Sequence, residues 1–159
     1  MRILVISDSH NQHDNVMEVL KIEKHIDMLI HCGDIENGEA EIKKACNCPM
    51  IAVKGNNDFF VDLPKEIELE LGNYKVLVTH GHYYFVSLEN TTIKLEAISR
   101  DIDIVFYGHS HKPVIDREEE IIAINPGSIS YPRQEGKRPS YCIMEIDVNG
   151  KATFEIRFL

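Results

Sequence analysis

The sequence predicts an α/β fold: a four-layer α/β/β/α sandwich of two mixed β-sheets with helices on the outside. Three observations lead there. Early in the chain, short apolar runs alternate with segments whose apolar residues recur at helical spacing, the pattern of βα steps and a parallel sheet. The middle switches to strict alternation around a Gly-Asn turn, and the end carries only strand patterns separated by Pro, Gly and Asn-Gly signals. Two sheets packed face to face, with helices outside, bury every one of these apolar runs.

In order, Arg2 to Ser7 is a continuous apolar run suited to a buried strand, and Asn15 to His25 places Val16, Val19, Leu20 and Ile22 on one helical face. Met28-Leu29-Ile30 is the next strand, Glu39 to Ala45 a short helix, and Met50 to Val53 a strand entered from Pro49. Ile67, Leu69 and Leu71 alternate with Glu66, Glu68 and Glu70 before Gly72-Asn73 and a strand over Lys75 to Val78, so this pair reads as a hairpin. Leu88 to Ser99 reads as helix and Ile102 to Tyr107 as strand. Strands near Val114-Ile115, Ile121 to Ile124, Tyr141 to Ile146 and Thr153 to Phe158 complete the second half.

At 159 residues, one domain over residues 1–159 is expected, and 43% hydrophobic with 27% charged residues supplies a full core. The opening apolar run is too short for a signal-peptide core and no run of about 18 apolar residues occurs. A cytoplasmic protein with no membrane partner is therefore expected. Four cysteines without a framework spacing read as free thiols, Cys46 and Cys48 included. A net charge of -9 with no basic run excludes broad binding of nucleic-acid backbones. The acidic run Asp116, Glu118, Glu119, Glu120 reads as a solvated loop tip.

The polar residues are informative where they stop the strands. Asp8 and His10 follow the first apolar run, Gly33-Asp34 the second, Gly55-Asn56 the third, His80 the strand after the hairpin, and Gly108-His109-Ser110-His111 the next. Ligands of α/β sheets bind in the crevice beyond the carboxyl ends of the strands, so seven side chains distant in sequence can converge there. Residues two apart on extended chain share a side, which makes clips of Asp8 with His10 and of His109 with His111. Taken singly, a strand-end Asp or Asn is usually a turn residue and a lone His structural. Together, imidazoles, carboxylates and one amide oxygen suit two divalent cations sharing a carboxylate, typically about 3.5–4 Å apart. Asp34 is the natural bridge, and Gly33, Gly55 and Gly108 allow close approach. His31 is expected to pack or hydrogen-bond inside, and His13 and His25 to lie at the surface.

Asp8-Ser-His10, Gly33-Asp34, Gly55-Asn56-Asn57-Asp58, His80-Gly81-His82 and Gly108-His109-Ser110-His111 together resemble the calcineurin-like metallophosphoesterases. Asn125-Pro126-Gly127-Ser128 and Pro132-Arg133 are similar to its small YfcE-like phosphodiesterase branch. The resemblance implies the metallo-dependent phosphatase fold, with one metal on Asp8, His10, Asp34 and His111 and the other on Asp34, Asn56, His80 and His109. It implies a phosphodiesterase acting on a small-molecule phosphoester by direct attack of a metal-bridging hydroxide. Manganese is the first expectation, with Ni, Fe, Co or Zn also suited to this thiolate-free donor set. A homodimer is admitted by the same resemblance. The alternatives are a protein-binding scaffold of this fold, as in a retromer subunit, and a phosphomonoesterase or nuclease.

One residue departs from the larger members, which carry His directly after the metal-binding Asn: this chain has Asn57, and an amide cannot act as a general acid. His82 is the candidate substitute, against a supporting role. Arg133 is the candidate substrate contact, since a guanidinium matches phosphate oxygens in a bidentate fork; the Asn125 to Ser128 turn alternatively only shapes the rim.

Overall fold

In a computed structural model that describes residues 1–159, the chain runs through β1 (Arg2–Ile6), α1 (Asp14–Ile22), β2 (Met28–His31), α2 (Glu39–Cys46), β3 (Met50–Ala52), β4 (Glu66–Leu71) and β5 (Tyr74–Thr79). A 3-10 turn at His82–Tyr84 leads to α3 (Thr91–Ser99), β6 (Ile104–Phe106), β7 (Pro113–Arg117), β8 (Ile122–Pro126), β9 (Ser140–Ile146) and β10 (Ala152–Phe158).

The strands form two five-stranded mixed sheets, ordered β10-β9-β1-β2-β3 and β4-β5-β6-β8-β7. In the first, β1, β2 and β3 are parallel, with Ile3 opposite Met28 and Leu29 opposite Met50, and β9 and β10 are antiparallel. In the second, β5, β6 and β8 are parallel and both edges, β4 and β7, antiparallel. Six parallel strands thus point their carboxyl ends towards one end of the molecule.

The strand period of two sorts the core into layers. Ile3 and Val5 of β1 meet Val76 and Val78 of β5, and Ile104 and Phe106 of β6, between the sheets. Leu4 and Ile6 face the other way, onto Val16 and Val19 of α1 and Ile42 of α2. Leu77 and Val105 turn outward onto Ile93 and Ala97 of α3. Strands buried on both faces read as unbroken apolar runs, which is why they were legible. The order helix, sheet, sheet, helix is the expected sandwich.

Four expectations need correction. Helix α1 ends at Ile22, short of His25, because Glu23 is drawn into a cluster with Arg2, Tyr141 and Arg157. Helix α3 starts at Thr91: Gly81 and Phe85 take positive φ around the 3-10 turn, and Leu88 is exposed. Of the acidic run, Asp116 lies within β7 and pairs with Lys94 of α3, while Glu118, which also reaches Lys94, and Glu119 and Glu120 are exposed as expected. His13 is buried rather than on the surface, packed against Gly38, and neither ring nitrogen has a hydrogen-bond partner. All four thiols are free, and His31 lies inside with Nε2 3.0 Å from Ser9 Oγ.

Candidate metal centre

The seven predicted side chains come from the loops that leave β1, β2, β3, β5 and β6. Backbone bonds lock these loops together: Asp8 N–H donates to Gly33 O (3.0 Å), His10 N–H to Asp34 O (2.9 Å) and Gly108 N–H to His80 O (3.1 Å). Asp8, His10, Asp34, His109 and His111 have φ between 46° and 65°. Non-glycine residues in this region are strained by about 1 kcal/mol or more each, and such strain gathers at functional sites. Gly33 is at φ 96°, and a Cβ there would lie 2.7 Å from His80 Nδ1. A Cβ on Gly55 would lie 2.1 Å from Asp34 Oδ1, so this glycine is needed for close approach.

The ligand atoms of Asp8, His10 and His111 lie within 4.8 Å of one another, and so do those of Asp8, Asp34 and His80. Asp8 is the residue common to both groups, and Asp34, a member of the second, places Oδ2 3.7 Å from His10 Nε2 of the first and 3.4 Å from His80 Nε2. Asp8 Oδ1 also reaches both, at 3.2 Å from His111 Nε2, 3.9 Å from His10 Nε2 and 4.0 Å from His80 Nε2. Asn56 Oδ1 lies 3.0 Å from His80 Nε2. The His109 ring stands beside His80, centroids 5.1 Å apart, outside both compact groups; its backbone N–H donates to Asp8 Oδ2 at 3.1 Å.

Proton bookkeeping tests whether these residues fit metal ions. His80 Nδ1 donates to Cys32 O (2.8 Å), His111 Nδ1 to Tyr131 O (2.6 Å) and His10 Nδ1 to Glu36 Oε1 (3.1 Å). Since a carbonyl only accepts, the neutral rings carry their proton on Nδ1 and aim an Nε2 lone pair inward. His10 Nε2 and His111 Nε2 then face each other as acceptors at 3.4 Å, and His80 Nε2 faces the Asn56 oxygen likewise. Asp8 Oδ1, fully buried, has no hydrogen-bond donor. Acceptors facing acceptors with a buried carboxylate among them fit cations.

The charges agree. Burial pushes the Asp8 carboxyl up, but His111 and His80 outweigh it and leave it lowered. Burial likewise raises Asp34, and His80 with Asn57 overcomes this and holds it well below the usual carboxylate range. Burial lowers His80, yet Asp34 and Asp8 bring it up to about 8: two buried carboxylates beside the ring call for positive charge, which a bound metal ion would supply to its neutral form. His82 differs: burial and then His80 and His109 push it down to about 4. Its ring is 5.3 Å from that of His80 and its Nδ1 has no partner.

Several supporting residues carried no strand-end signal of their own. Asp58, fully buried, accepts from the backbone N–H groups of Asp34 (2.8 Å), Glu36 (2.5 Å) and Gly55 (2.7 Å), clamping two ligand loops. Asn57 donates its backbone N–H to Asp34 Oδ1 (2.8 Å) and its amide to Asp34 Oδ2 (2.7 Å). The Asn125 to Ser128 turn braces the centre: Asn125 Nδ2 donates to Gly108 O (2.6 Å) and Ser128 Oγ to Asp8 O (2.8 Å). Arg133 is exposed on the rim, its N–H donating to His111 O at 3.0 Å.

Comparison with known proteins follows the same line. Residues 1–149 match the family described as Calcineurin-like phosphoesterase superfamily domain. The chain is 36% identical to the probable metallophosphoesterase YsnB of Bacillus subtilis (strain 168) over 159 residues, covering 99% of this chain and 90% of that protein. It is 30% identical to the phosphodiesterase YfcE of Escherichia coli (strain K12), covering 93% and 89%. Wild-type Vps29 of Entamoeba histolytica, solved with zinc, superposes with a TM-score of 0.79 at 23% identity, covering 99% of each chain, a likeness of fold. With the matched family spanning nearly the whole sequence, the chain belongs to the calcineurin-like phosphoesterase superfamily.

Proposed function

We propose that this protein is a phosphodiesterase that uses two divalent metal ions to hydrolyse a small phosphodiester. The observation that carries the reading is the set of inward Nε2 lone pairs around Asp8 Oδ1 and Asp34 Oδ2. One ion would be held by Asp8, His10, Asp34 and His111, and the other by Asp34, Asn56, His80 and His109. When bound, the pair would activate water as nucleophile near neutral pH and neutralise phosphoryl oxygens. Manganese suits the mixed nitrogen and oxygen donors, as do Ni, Fe, Co and Zn.

The protein's own residues would orient the ions and the substrate. Glu36, Cys32 O and Tyr131 O fix the three imidazoles, and Asp58 fixes the loops of Asp34 and Asn56. In hydrolysis an oxygen of water bonds to phosphorus, the bond to the leaving alcohol breaks, and that alcohol gains a proton. His82 is the side chain assigned to the leaving group. A ring pushed down to about 4, with cations nearby adding in the same direction, is neutral at pH 7 and serves as a hydrogen-bond donor rather than a general acid. That suits diesters with good leaving alcohols. Arg133 would contact a phosphate oxygen.

No helix is long and apolar enough to cross a membrane, and the reading places the protein in the cytoplasm, as one domain able to pair as a homodimer. A protein-binding scaffold shares the fold, but the filled set of seven candidate ligand positions favours the enzyme. The test is metal-refilled protein assayed on bis-p-nitrophenyl phosphate, p-nitrophenyl phosphate and single-stranded DNA. Metal-dependent release from the diester, ahead of the other two, is expected; hydrolysis of the monoester or DNA alone would reassign the substrate, and none with any metal would favour the scaffold.

A further inference from the structure

An open depression of about 780 Å³ lies to one side of the candidate centre. His10 and His111 line it, with Glu36, the segment 130–133 and Lys137. Most of its polar groups are already engaged. The Glu36 carboxylate accepts from His10 Nδ1, the Ser130 hydroxyl donates to Gln12 O at 2.8 Å, and the Tyr131 hydroxyl accepts from the Gln12 amide. The Arg133 guanidinium and the Lys137 ammonium are not: neither makes an ion pair or a side-chain hydrogen bond. Both stand in a chain of net charge -9, and it is their place beside His10 and His111 that sets them apart from the other unpaired lysines of the surface.

Backbone contacts fix where the two exposed side chains leave the chain. Arg133 is tied to His111 through its N–H. Lys137 closes the next turn, with its N–H donating to Gln134 O at 3.1 Å and its φ at 45°. Two unpaired cations lining a depression that also holds half-buried His10 and buried His111 can take an anion without giving up an existing partner.

Resting on the phosphodiesterase reading, we propose that this depression is a subsite for a second anion: the preferred diester carries a further phosphate or carboxylate on the arm that lies past His10 and His111. Arg133 serves the scissile phosphate and Lys137 binds the second anion. A centre with no such subsite would treat charged and neutral arms alike.

The test uses diesters that share a p-nitrophenol leaving group and carry a propyl arm ending in hydroxyl, carboxylate, phosphate or trimethylammonium. With manganese-loaded protein, kcat/KM for the two anionic arms should exceed the hydroxyl arm by about tenfold, mainly through KM, and the gain should shrink as salt is raised. The trimethylammonium arm should fall below hydroxyl. Lys137→Met should reduce the anionic-to-hydroxyl ratio to about twofold or less, and Lys137→Arg should retain it. Calorimetric binding of propylphosphonate, 3-phosphonopropionate and propylene bisphosphonate gives the same comparison without turnover. Equal preference among arms, or a ratio unmoved by Lys137→Met, would overturn the subsite. Preference in binding without hydrolysis of any ester would keep the subsite and reject the phosphodiesterase.

Discussion

Asp34 meets both candidate groups through one oxygen, Oδ2, while its own backbone N–H is held by Asp58. Asp34→Asn keeps the shape and removes the charge, so elemental analysis should find the full complement of two ions per chain lost; two ions retained would exclude Asp34 as the bridge. Asp58 acts through the loops alone. Asp58→Ala strands three backbone N–H groups, of which those of Asp34 and Gly55 belong to buried sites, and should lower stability by about 3 kcal/mol in denaturant titration of metal-free protein. The difference between these residues also marks what a sequence shows. Asp34 and the histidines were legible because their side-chain types, repeated at strand ends, have a chemistry of their own. The clamping role of Asp58, whose motif was visible, and the contact of Glu36 were not, because their partners are backbone groups and a ring brought close only by folding. His13 misled for a similar reason: nothing in its neighbours announces that Gly38 lies against it.

At the scale of elements, Glu23 is the point where α1 joins its sheet. Its N–H caps the helix on Val19 O, and its carboxylate accepts from Arg2 of β1, Tyr141 of β9 and Arg157 of β10. Burial pushes this carboxyl up, but Arg157, Arg2 and Tyr141 together bring it below its ordinary value. A carboxyl so lowered stabilises the fold above the unfolded glutamate value of about 4.3, and the contribution disappears as pH falls through the folded value. Glu23→Gln should therefore lower stability by about 2 kcal/mol at pH 7, and the gap from wild type should close in acid; a gap independent of pH would assign the loss to packing. The central strands were legible because burial on two faces demands unbroken apolar runs, and edge strand β4 because one solvated face imposes alternation. Helix ends were not, since Glu23 leaves α1 for long-range partners and the turn before α3 rests on positive φ at Phe85, which its residue type does not announce.

Across the whole molecule, two sheets with parallel centres direct six strand ends to one place, so residues from position 8 to 133 surround one centre. The anionic pair Asp8 and Asp34 lies buried there with His80, and ions that bind only the folded chain stabilise it by mass action. Loading at about a hundredfold above Kd contributes roughly 2.7 kcal/mol, so stripping the metal should lower Tm by roughly 5–10 °C in a thermal scan. The layers could be read from period and length; the unpaired cations beside His10 and His111 could not, because pairing is a property of the assembled surface. The most direct measurement is a manganese titration of metal-free protein, following bound ions per chain and diester hydrolysis together. Two ions should bind, with turnover rising as the second site fills and lost in an Asn56→Ala, His80→Ala variant. Full turnover with one ion, or none with both sites filled, would contradict the two-metal phosphodiesterase.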